Sequence, residues 1–502
     1  MVVSSTSTLN NRIDEKTELS IIRELCEMLD DNGINYCHWK SNAALDRSAS
    51  GENDLDLLVS RIDVQRFTQI LSRLEFKPAL ECAKRRLPGI LNYYGYDREA
   101  ERLVHVHAHY QLVLGHDATK NYHIPVEEAY LASSSRNGIF MVPCAEFELI
   151  ILVIRLMIKH STWDTVLLSQ GRLSKSEKNE LDYLLKCSSE TRMYEILKEN
   201  LPYIEPSLFQ DCIHMLISTH PVWDRVRIGQ KLINCLDAYA RQPQFVDCVL
   251  KLWRRIYWPV ERRVLHREER MQMKSGGLMI AIVGGDGAGK TTVIEKLYKW
   301  LSNDFEVHKF HMGKPKWSFL TIFIRGILKI GRSLGLYPFM RAEIKYTKDA
   351  DQLTFPGYPW LVREICTARD RYLTYIKARR IATNGGLVIL DRFPLSQIKF
   401  MDGPQIARMT TKFPINKLVR SLINWEEIYY KKIAIPDVLI LLHADPEIAT
   451  RRKIDEIAEE VHARSTEIWE IDWSQTPAIV IDANRSKDDV ILDVKRVIWS
   501  RL

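Results

Sequence analysis

The stretch that decides the fold of this chain reads Gly284-Gly285-Asp286-Gly287-Ala288-Gly289-Lys290-Thr291-Thr292. It follows the apolar run 278–283 and precedes the helical pattern of 293–301. The pattern is a strand, a glycine loop that reads G-x-x-x-x-G-K-T, and a helix. This arrangement binds polyphosphates, because the backbone N–H groups of the loop and the N-terminus of the helix face the phosphates. The stretch therefore predicts a nucleotide-binding P-loop in an α/β domain with a parallel sheet flanked by helices.

Each residue type in this loop has a chemical reason to be there. We expect all nine residues of 284–292 to contact ATP or a related nucleotide. The Lys290 ammonium would reach the outer phosphates, and the Thr291 hydroxyl would bind Mg²⁺. The alternative is a glycine turn with an incidental lysine, which the flanking strand and helix disfavour.

Composition limits the classes of protein to consider. With 502 residues the chain is too long for one core, so two or three domains are expected. The net charge of +7 suits an anionic ligand but gives no strong nucleic-acid signal. Nine cysteines without a C-x-x-C pair indicate reduced thiols. The first twenty residues hold no apolar core for a signal peptide, and no apolar run is long enough for a transmembrane segment, so we expect a cytoplasmic protein.

The order of patterns along the chain predicts its domains. Residues 1–16 read as a disordered polar tail, and 17–145 as an α+β domain. Residues 146–273 read as a helical extension with no catalytic spacing. A flexible joint at 274–277 precedes the P-loop domain, which covers 277–502.

Two carboxylates in the first domain are candidates for metal binding. The run 54–59 reads as a strand, and side chains two residues apart share a face, so Asp54 and Asp56 point the same way. Such a pair can hold a divalent metal against a triphosphate. The alternative is a strand edge with two solvated aspartates.

This pair also resembles the signature of the nucleotidyltransferase superfamily, in which a glycine-serine turn precedes a D-x-D strand. Ser41 is in the position of the serine, but Lys40 replaces the usual glycine. The resemblance implies a nucleotidyltransferase-like fold with metal on Asp54 and Asp56.

Three histidines alternate with small apolar residues in a later strand. His105, His107 and His109 would share one face, with valine and alanine on the other. The superfamily commonly places a third carboxylate on such a strand, so a histidine has taken its position here. A mixed-ligand metal site, a re-purposed pocket and a decayed site all remain open. The layout is similar to uncharacterised nucleotidyltransferase-like proteins of bacterial surface-polysaccharide and peptide gene clusters.

Two amphipathic segments allow more than one interpretation. The insert 317–356 places apolar residues opposite recurring basic ones, which fits a lid over a bulky acceptor, a membrane-surface helix or a helix packed on the core. The basic, aromatic stretch 253–267 could stack on bases. We favour a helix packed on the core for the first and a packed helix with snorkelling arginines for the second.

The C-terminal domain resembles the thymidylate kinase family through several motifs. The P-loop has the family form G-x-D-G-x-G-K-T-T, the segment 367–371 reads T-A-R-D-R on a helix, and 385–393 reads as a glycine turn and a buried strand ending in Asp391-Arg392. The resemblance implies that Asp286 contacts the acceptor sugar and Arg371 its base. It also implies that Asp391 organises Mg²⁺ or the acceptor and that Arg392 binds acceptor phosphate.

The resemblance further implies an arginine from a lid helix. Since Gly287 leaves the P-loop without its own arginine, Arg451, Arg452 or Arg464 would supply the charge that stabilises the transition state. The catalytic candidates are Lys290, Asp391, Arg392, Arg451 and Arg452.

Two departures leave the acceptor open. Thr367 stands where the family offers an aromatic residue, and 311–315 replaces the family's arginine-proline-glycine loop. We therefore expect an ATP- and Mg²⁺-dependent phosphotransferase with a small phosphorylated or hydroxyl acceptor, a nucleoside monophosphate being the leading candidate. The alternatives are a nucleotidyltransferase acting through Asp54 and Asp56, and a non-catalytic nucleotide-gated switch. A homodimer is also considered.

Overall fold

The protein divides into two compact units, an N-terminal unit of residues 1–269 and a C-terminal unit of residues 270–502. The boundary falls a few residues before the predicted joint at 274–277. The computed structural model describes residues 18–162, 173–217, 221–263, 270–336, 355, 357–398, 403–410, 416–453 and 456–502. The predicted tail at 1–16 lies outside the described residues.

Five strands of the N-terminal unit form a mixed sheet in the order β1-β2-β5-β4-β3. They are β1 (Tyr36–His38), β2 (Leu55–Val59), β3 (Lys77–Leu80), β4 (Ile90–Asp97) and β5 (Arg102–His109). β2 and β5 run parallel, and the other neighbours run antiparallel. Two small antiparallel pairs follow, β6 (Val113–Leu114) with β7 (Tyr122–His123) and β8 (Ser135–Asn137) with β9 (Phe140–Val142). The predicted α+β character of this unit is present.

Short helices cover the sheet, and longer helices make up the second half of the unit. They are α1 (Ser20–Asp31), α2 (Leu45–Ala49), α3 (Val64–Arg73), α4 (Glu127–Ala132), α5 (Ala145–His160), α6 (Lys175–Cys187), α7 (Glu190–Asn200), α8 (Pro206–Ile217), α9 (Val222–Cys235) and α10 (Gln244–Arg263). α5 is buried almost all round and shares one apolar core with the strand residues Cys37 and Leu58. The predicted helical extension, 146–273, therefore belongs to the N-terminal unit as far as residue 269, whereas 270–273 belong to the C-terminal unit and include a short strand.

The C-terminal unit is built on a parallel sheet with the order β12-β13-β11-β14-β15. After the short strand β10 (Gln272–Met273) come β11 (Met279–Gly284), β12 (Val307–His311), β13 (Leu387–Asp391), β14 (Val438–His443) and β15 (Ala478–Asp482). All four pairings are parallel. The three central strands are almost entirely buried, as expected for a parallel sheet covered by helices on both faces.

Helices follow the strands in the alternation typical of an α/β fold. They are α11 (Lys290–Ser302), α12 (Phe319–Ser333), α13 (Tyr358–Thr383), α14 (Ile406–Thr410), α15 (Lys417–Lys431), α16 (Pro446–Arg452), α17 (Ala458–Glu470) and α18 (Lys487–Arg501). The α/β class predicted from the P-loop is confirmed. Among the described residues, no helix is both long and apolar enough to cross a membrane.

The two amphipathic segments differ in outcome. α12 buries only Thr321, and Phe319 is 93% exposed, so the preference for a helix packed on the core is wrong for the described part of the insert. In α10 the guanidinium of Arg254 donates to the carbonyl of Ala118, and Arg255 lies 2.7 Å from the His116 ring. These contacts support the packed helix that the sequence favours there.

Candidate nucleotide-binding site

The glycine loop joins β11 to α11 at the carboxyl edge of the parallel sheet. Gly287 and Gly289 have φ values of +81° and +89°, which side chains rarely adopt. A Cβ on Gly287 would lie 2.1 Å from the carbonyl oxygen of Ala449 in α16. The loop therefore packs directly against α16, and only glycine allows this approach.

Lys290 begins α11 and folds back over the loop. Its Nζ donates to the carbonyl oxygens of Gly284 at 2.9 Å and Gly285 at 2.7 Å. Burial lowers the pKa of the Lys290 ammonium, and the neighbouring Asp286 carboxylate opposes that effect. The ammonium therefore lies inside the loop, where the two carbonyl oxygens are its hydrogen-bond acceptors. The oxygens of an anionic ligand would replace these carbonyls as acceptors.

Asp286 links the loop to three cations. Its carboxylate accepts a hydrogen bond from Arg464 at 2.8 Å and lies 3.7 Å from both Lys290 and Arg392. Burial would raise the pKa of Asp286, but Lys290, the hydrogen bond from Arg464 and the charge of Arg392 together hold it below its usual range. The Ser465 hydroxyl also donates to the Asp286 carbonyl at 3.1 Å, so α17 is tied to the loop at two points.

A cavity of about 390 Å³ opens along this loop. Among the described residues that line it, cationic side chains outnumber carboxylates by six to two. The cations are Lys290, Arg392, Arg452, Lys453, Arg485 and Lys487, and the carboxylates are Asp286 and Asp391. Such a cavity has the charge and the backbone geometry to hold a polyphosphate.

Two oxygen donors in the same cavity suit Mg²⁺. Thr291 is the second residue of α11, after Lys290, and Asp391 ends β13; both line the cavity. Hydroxyl and carboxylate oxygens are the donors that Mg²⁺ takes in phosphoryl-transfer sites. The residues present therefore fit the ion that the motif implies.

The predicted arginines separate into different environments. Arg451 points away from the cavity, with a side chain 79% exposed and 3.4 Å from Glu447. Arg452 lines the cavity and donates to the carbonyl of Ala483 at 2.8 Å. Arg464 reaches the loop through Asp286. The structure thus brings Arg452 and Arg464 to the site and leaves Arg451 outside it.

Arg371 is held by protein groups rather than turned towards a ligand. Its Nε donates to the Met312 carbonyl at 2.9 Å, one terminal nitrogen donates to the Gly313 carbonyl at 3.1 Å, and the other to the Tyr430 hydroxyl. The side chain is buried, so in this conformation it braces the loop after β12. The predicted contact with an acceptor base has no support from this arrangement.

Sequence reasoning missed three charged residues of the cavity wall, Lys453, Arg485 and Lys487. Arg485 and Lys487 follow β15, whose carboxyl end lies at the same sheet edge as the P-loop. Ligands of open parallel sheets bind at that edge. The position of Arg485 and Lys487 just after the last strand could therefore have predicted that they line the cavity.

Asp54 and Asp56, the two predicted metal ligands of the N-terminal unit, contact different side chains. Asp54 precedes β2, and its carboxylate lies 3.0 Å from His105. Asp56 lies in β2 opposite His107 of β5, and Lys40 Nζ is 2.8 Å from its Oδ1. Among the described residues, the group of three possible metal ligands that the structure gathers is Asp56, His107 and His109, and Asp54 is not a member of it.

The predicted histidine strand is confirmed in its geometry. Val104, Val106 and Ala108 are buried in the apolar core, while the three imidazoles lie on the opposite face of β5. Ser41, in the turn position of the predicted signature, has a φ of +60°.

Comparison with known proteins gives distant similarities. No protein-family model matches the chain. It is 26% identical over 225 residues to the uncharacterised ATP-binding protein YghR of Escherichia coli strain K12, covering 44% of this chain and 86% of that protein. It is 24% identical over 230 residues to the uncharacterised ATP-binding protein YghS of the same strain, covering 45% of this chain and 93% of that one.

Among solved structures, thymidylate kinase from Candida albicans matches 45% of this chain and 92% of its own, at 18% sequence identity and a TM-score of 0.28. This score is too low to establish a common fold. The P-loop, the parallel sheet and the similarity to proteins named for ATP binding together indicate a P-loop nucleotide-binding region.

Proposed function

We propose that the C-terminal unit binds ATP with Mg²⁺ and transfers the terminal phosphoryl group to a small phosphorylated or hydroxyl acceptor. The observation that carries this proposal is the basic cavity around Lys290, which the P-loop forms at the carboxyl edge of the parallel sheet. Two similar bacterial proteins are named for ATP binding, which supports the same nucleotide here.

The reaction requires positioning and charge neutralisation rather than covalent chemistry by the protein. An acceptor oxygen forms a bond to the γ-phosphorus as the bond to the β,γ-bridging oxygen breaks, and ADP leaves. Lys290 would exchange its two loop carbonyls for phosphate oxygens. Mg²⁺, held by Thr291 and Asp391, would neutralise phosphate charge when bound.

Arg464 is the arginine that we assign to the transferring group, because it is hydrogen-bonded to the P-loop. It lies on α17, donates to Asp286 of the P-loop and is also paired with Glu456 and Glu460. Exchange of these carboxylates for a phosphoryl oxygen would bring its charge to the site without any change of fold. Arg452, bonded to the loop after β15, would contact the nucleotide from the wall of the cavity.

The acceptor side differs from that of thymidylate kinases. Thr367, at the position of the family's aromatic residue, accepts a hydrogen bond from Arg325 of α12 at 3.3 Å. The Arg325 guanidinium in turn lies 4.2 Å from the Trp317 ring. These contacts support an acceptor other than thymidylate, because the position that would stack on a thymine carries a hydroxyl committed to α12.

The test is ADP release from ATP and Mg²⁺ with a panel of nucleoside monophosphates, sugars and sugar phosphates. We expect at least one acceptor to raise ADP release above the acceptor-free rate and Lys290→Ala to remove the increase. ATP binding without acceptor-dependent turnover across a broad panel would instead favour the nucleotide-gated switch.

A further inference from the structure

We propose that the N-terminal unit holds a divalent transition-metal ion, of the Zn²⁺ class, on Asp56, His107 and His109. The site is independent of the proposed kinase, because all three residues lie in the N-terminal unit. It also differs from a D-x-D magnesium site, since it uses two imidazoles and leaves Asp54 out.

Two of the three spacings between the ligand atoms match a tetrahedral ion. Asp56 Oδ1 lies 3.2 Å from His107 Nδ1 and 3.5 Å from His109 Nε2. Two ligands bound at about 2.0–2.1 Å to a tetrahedral Zn²⁺ are about 3.3–3.4 Å apart. All three ligand atoms lie within 4.8 Å of one another, so one ion can reach them together after only small adjustments.

The second observation is the state of His109. The ring is 1% exposed, and among the described residues neither of its nitrogens makes a hydrogen bond of normal geometry; Nε2 has only the 3.5 Å contact with Asp56 Oδ1. Leaving a buried polar group without a partner destabilises the folded state. A metal bond at Nε2 would supply the missing partner, whereas a purely structural histidine would be expected to have one.

The third histidine of the strand is already satisfied. His105 contacts Asp54 through Nδ1 at 3.0 Å and Asn92 through Nε2 at 2.9 Å, and its ring stacks on Tyr94. Both of its nitrogens are therefore committed to protein groups. The ligand set therefore excludes His105 and consists of Asp56, His107 and His109. The sequence pattern alone does not distinguish the three histidines.

Lys40 occupies the position of the cation in this structure. Its Nζ lies 2.8 Å from Asp56 Oδ1, and its side chain is 25% exposed, so it has a path to solvent. Metal binding would displace the ammonium, and the two cations compete for one carboxylate. Removal of the lysine charge should therefore strengthen metal binding.

The ion would face a basic cavity. A cavity of about 430 Å³ in the same unit is lined by His107 and by Lys84, Arg85, Arg86, Lys120, Arg241 and Arg254, with Glu81 and Asp117 as its carboxylates. A three-residue ligand set leaves a coordination position for an exogenous group. The charge of the cavity indicates an anion for that position, of the phosphate or phosphate-ester class.

The test is a Co²⁺ titration of the metal-stripped full chain, followed by its visible absorption and by Zn²⁺ competition. We expect one high-affinity site per chain. His107→Asn should weaken binding by at least about 100-fold, since loss of even an outer-shell partner costs 10–100-fold. Lys40→Ala should tighten binding. Absence of the visible bands in the wild type would overturn the proposal.

Matched controls separate this site from others. Asp54→Asn and His123→Ala, the latter on a histidine paired with Glu127, should change the affinity less than about twofold. An equal loss in Asp54→Asn and Asp56→Asn would refute the ligand set in favour of a D-x-D site. His107→Asn, on a partly exposed ring, keeps the test decisive if a variant of the buried His109 does not fold.

Inorganic phosphate tests the cavity. Added to the Co²⁺-loaded protein, it should shift the visible bands, and Lys120→Ala should weaken that response about tenfold or more. If phosphate leaves the bands unchanged, the assignment of an anion to the open position is refuted.

Discussion

Gly287→Ala tests the packing of the P-loop against α16. The new Cβ would lie 2.1 Å from the Ala449 carbonyl oxygen, whereas side-chain Cβ atoms essentially never come within 3.0 Å of another atom. The loop or the helix must therefore move by at least about 0.9 Å. Neither partner can relieve the clash by rotating a side chain, because the Cβ is fixed to the loop backbone and the oxygen belongs to the helix backbone.

Gly289→Ala provides the matched control. Its φ of +89° is close to the +81° of Gly287, so the cost of the left-handed backbone, about 1–2 kcal/mol, is the same in both variants. No described part of the chain lies within 4 Å of a Cβ built at Gly289. The difference between the two variants therefore isolates the clash, which should add about 1–3 kcal/mol.

The assay is thermal unfolding of the ligand-free full chain. In a unit of this size, 1 kcal/mol corresponds to about 2–4 °C in Tm. The transition that belongs to the C-terminal unit should therefore fall by about 2–12 °C more in Gly287→Ala than in Gly289→Ala. Equal shifts would show that the loop does not depend on α16, contrary to the structure.

Three further predictions follow from single contacts. Arg464→Ala should lower kcat at least about 100-fold by removing a charge that the P-loop holds in place, whereas Arg451→Ala should change it less than twofold; steady-state kinetics checks both. Burial raises the pKa of Glu148 from 4.5 to about 7, so the folded state holds a proton that the unfolded chain has lost, and the contribution of Glu148 to stability, taken as wild type minus Glu148→Gln, should fall as pH rises from about 4.5 to 7. Denaturant unfolding of both proteins measures this difference, and identical pH profiles would contradict the burial effect. Tyr130→Phe removes a buried 2.7 Å hydrogen bond to the Trp39 carbonyl and should lower the free energy of unfolding by about 1–3 kcal/mol in the same assay. An unchanged free energy of unfolding would contradict this prediction.

Local patterns predicted the elements that carry the chemistry. The glycine loop, its strand and its helix were all readable, because a P-loop needs fixed residues at fixed spacing. The strand of alternating histidines was equally readable, since period-two alternation places His107 and Val106 on opposite faces.

Tertiary contacts decided what those residues do, and these were not readable. Arg451 and Arg452 are neighbours in one basic run, yet only Arg452 lies at the cavity, because helical rotation separates their directions by about 100°. Lys40 and Asp56 are distant in sequence, so their ion pair depends on the packing of the loop after β1. The exposed face of α12 shows the same limit, since amphipathicity indicates a two-sided helix but not what lies against it.

The central claim is that the cavity beside Lys290 holds the triphosphate of ATP. Calorimetric titration of the full chain with ATP and Mg²⁺ tests it most directly, with Lys290→Ala beside Lys296→Ala, an exposed lysine on the same helix. We predict saturable binding to the wild type, a loss of at least about tenfold in Lys290→Ala and no change in Lys296→Ala. Equal affinity in Lys290→Ala and wild type, or no binding to either, would contradict it.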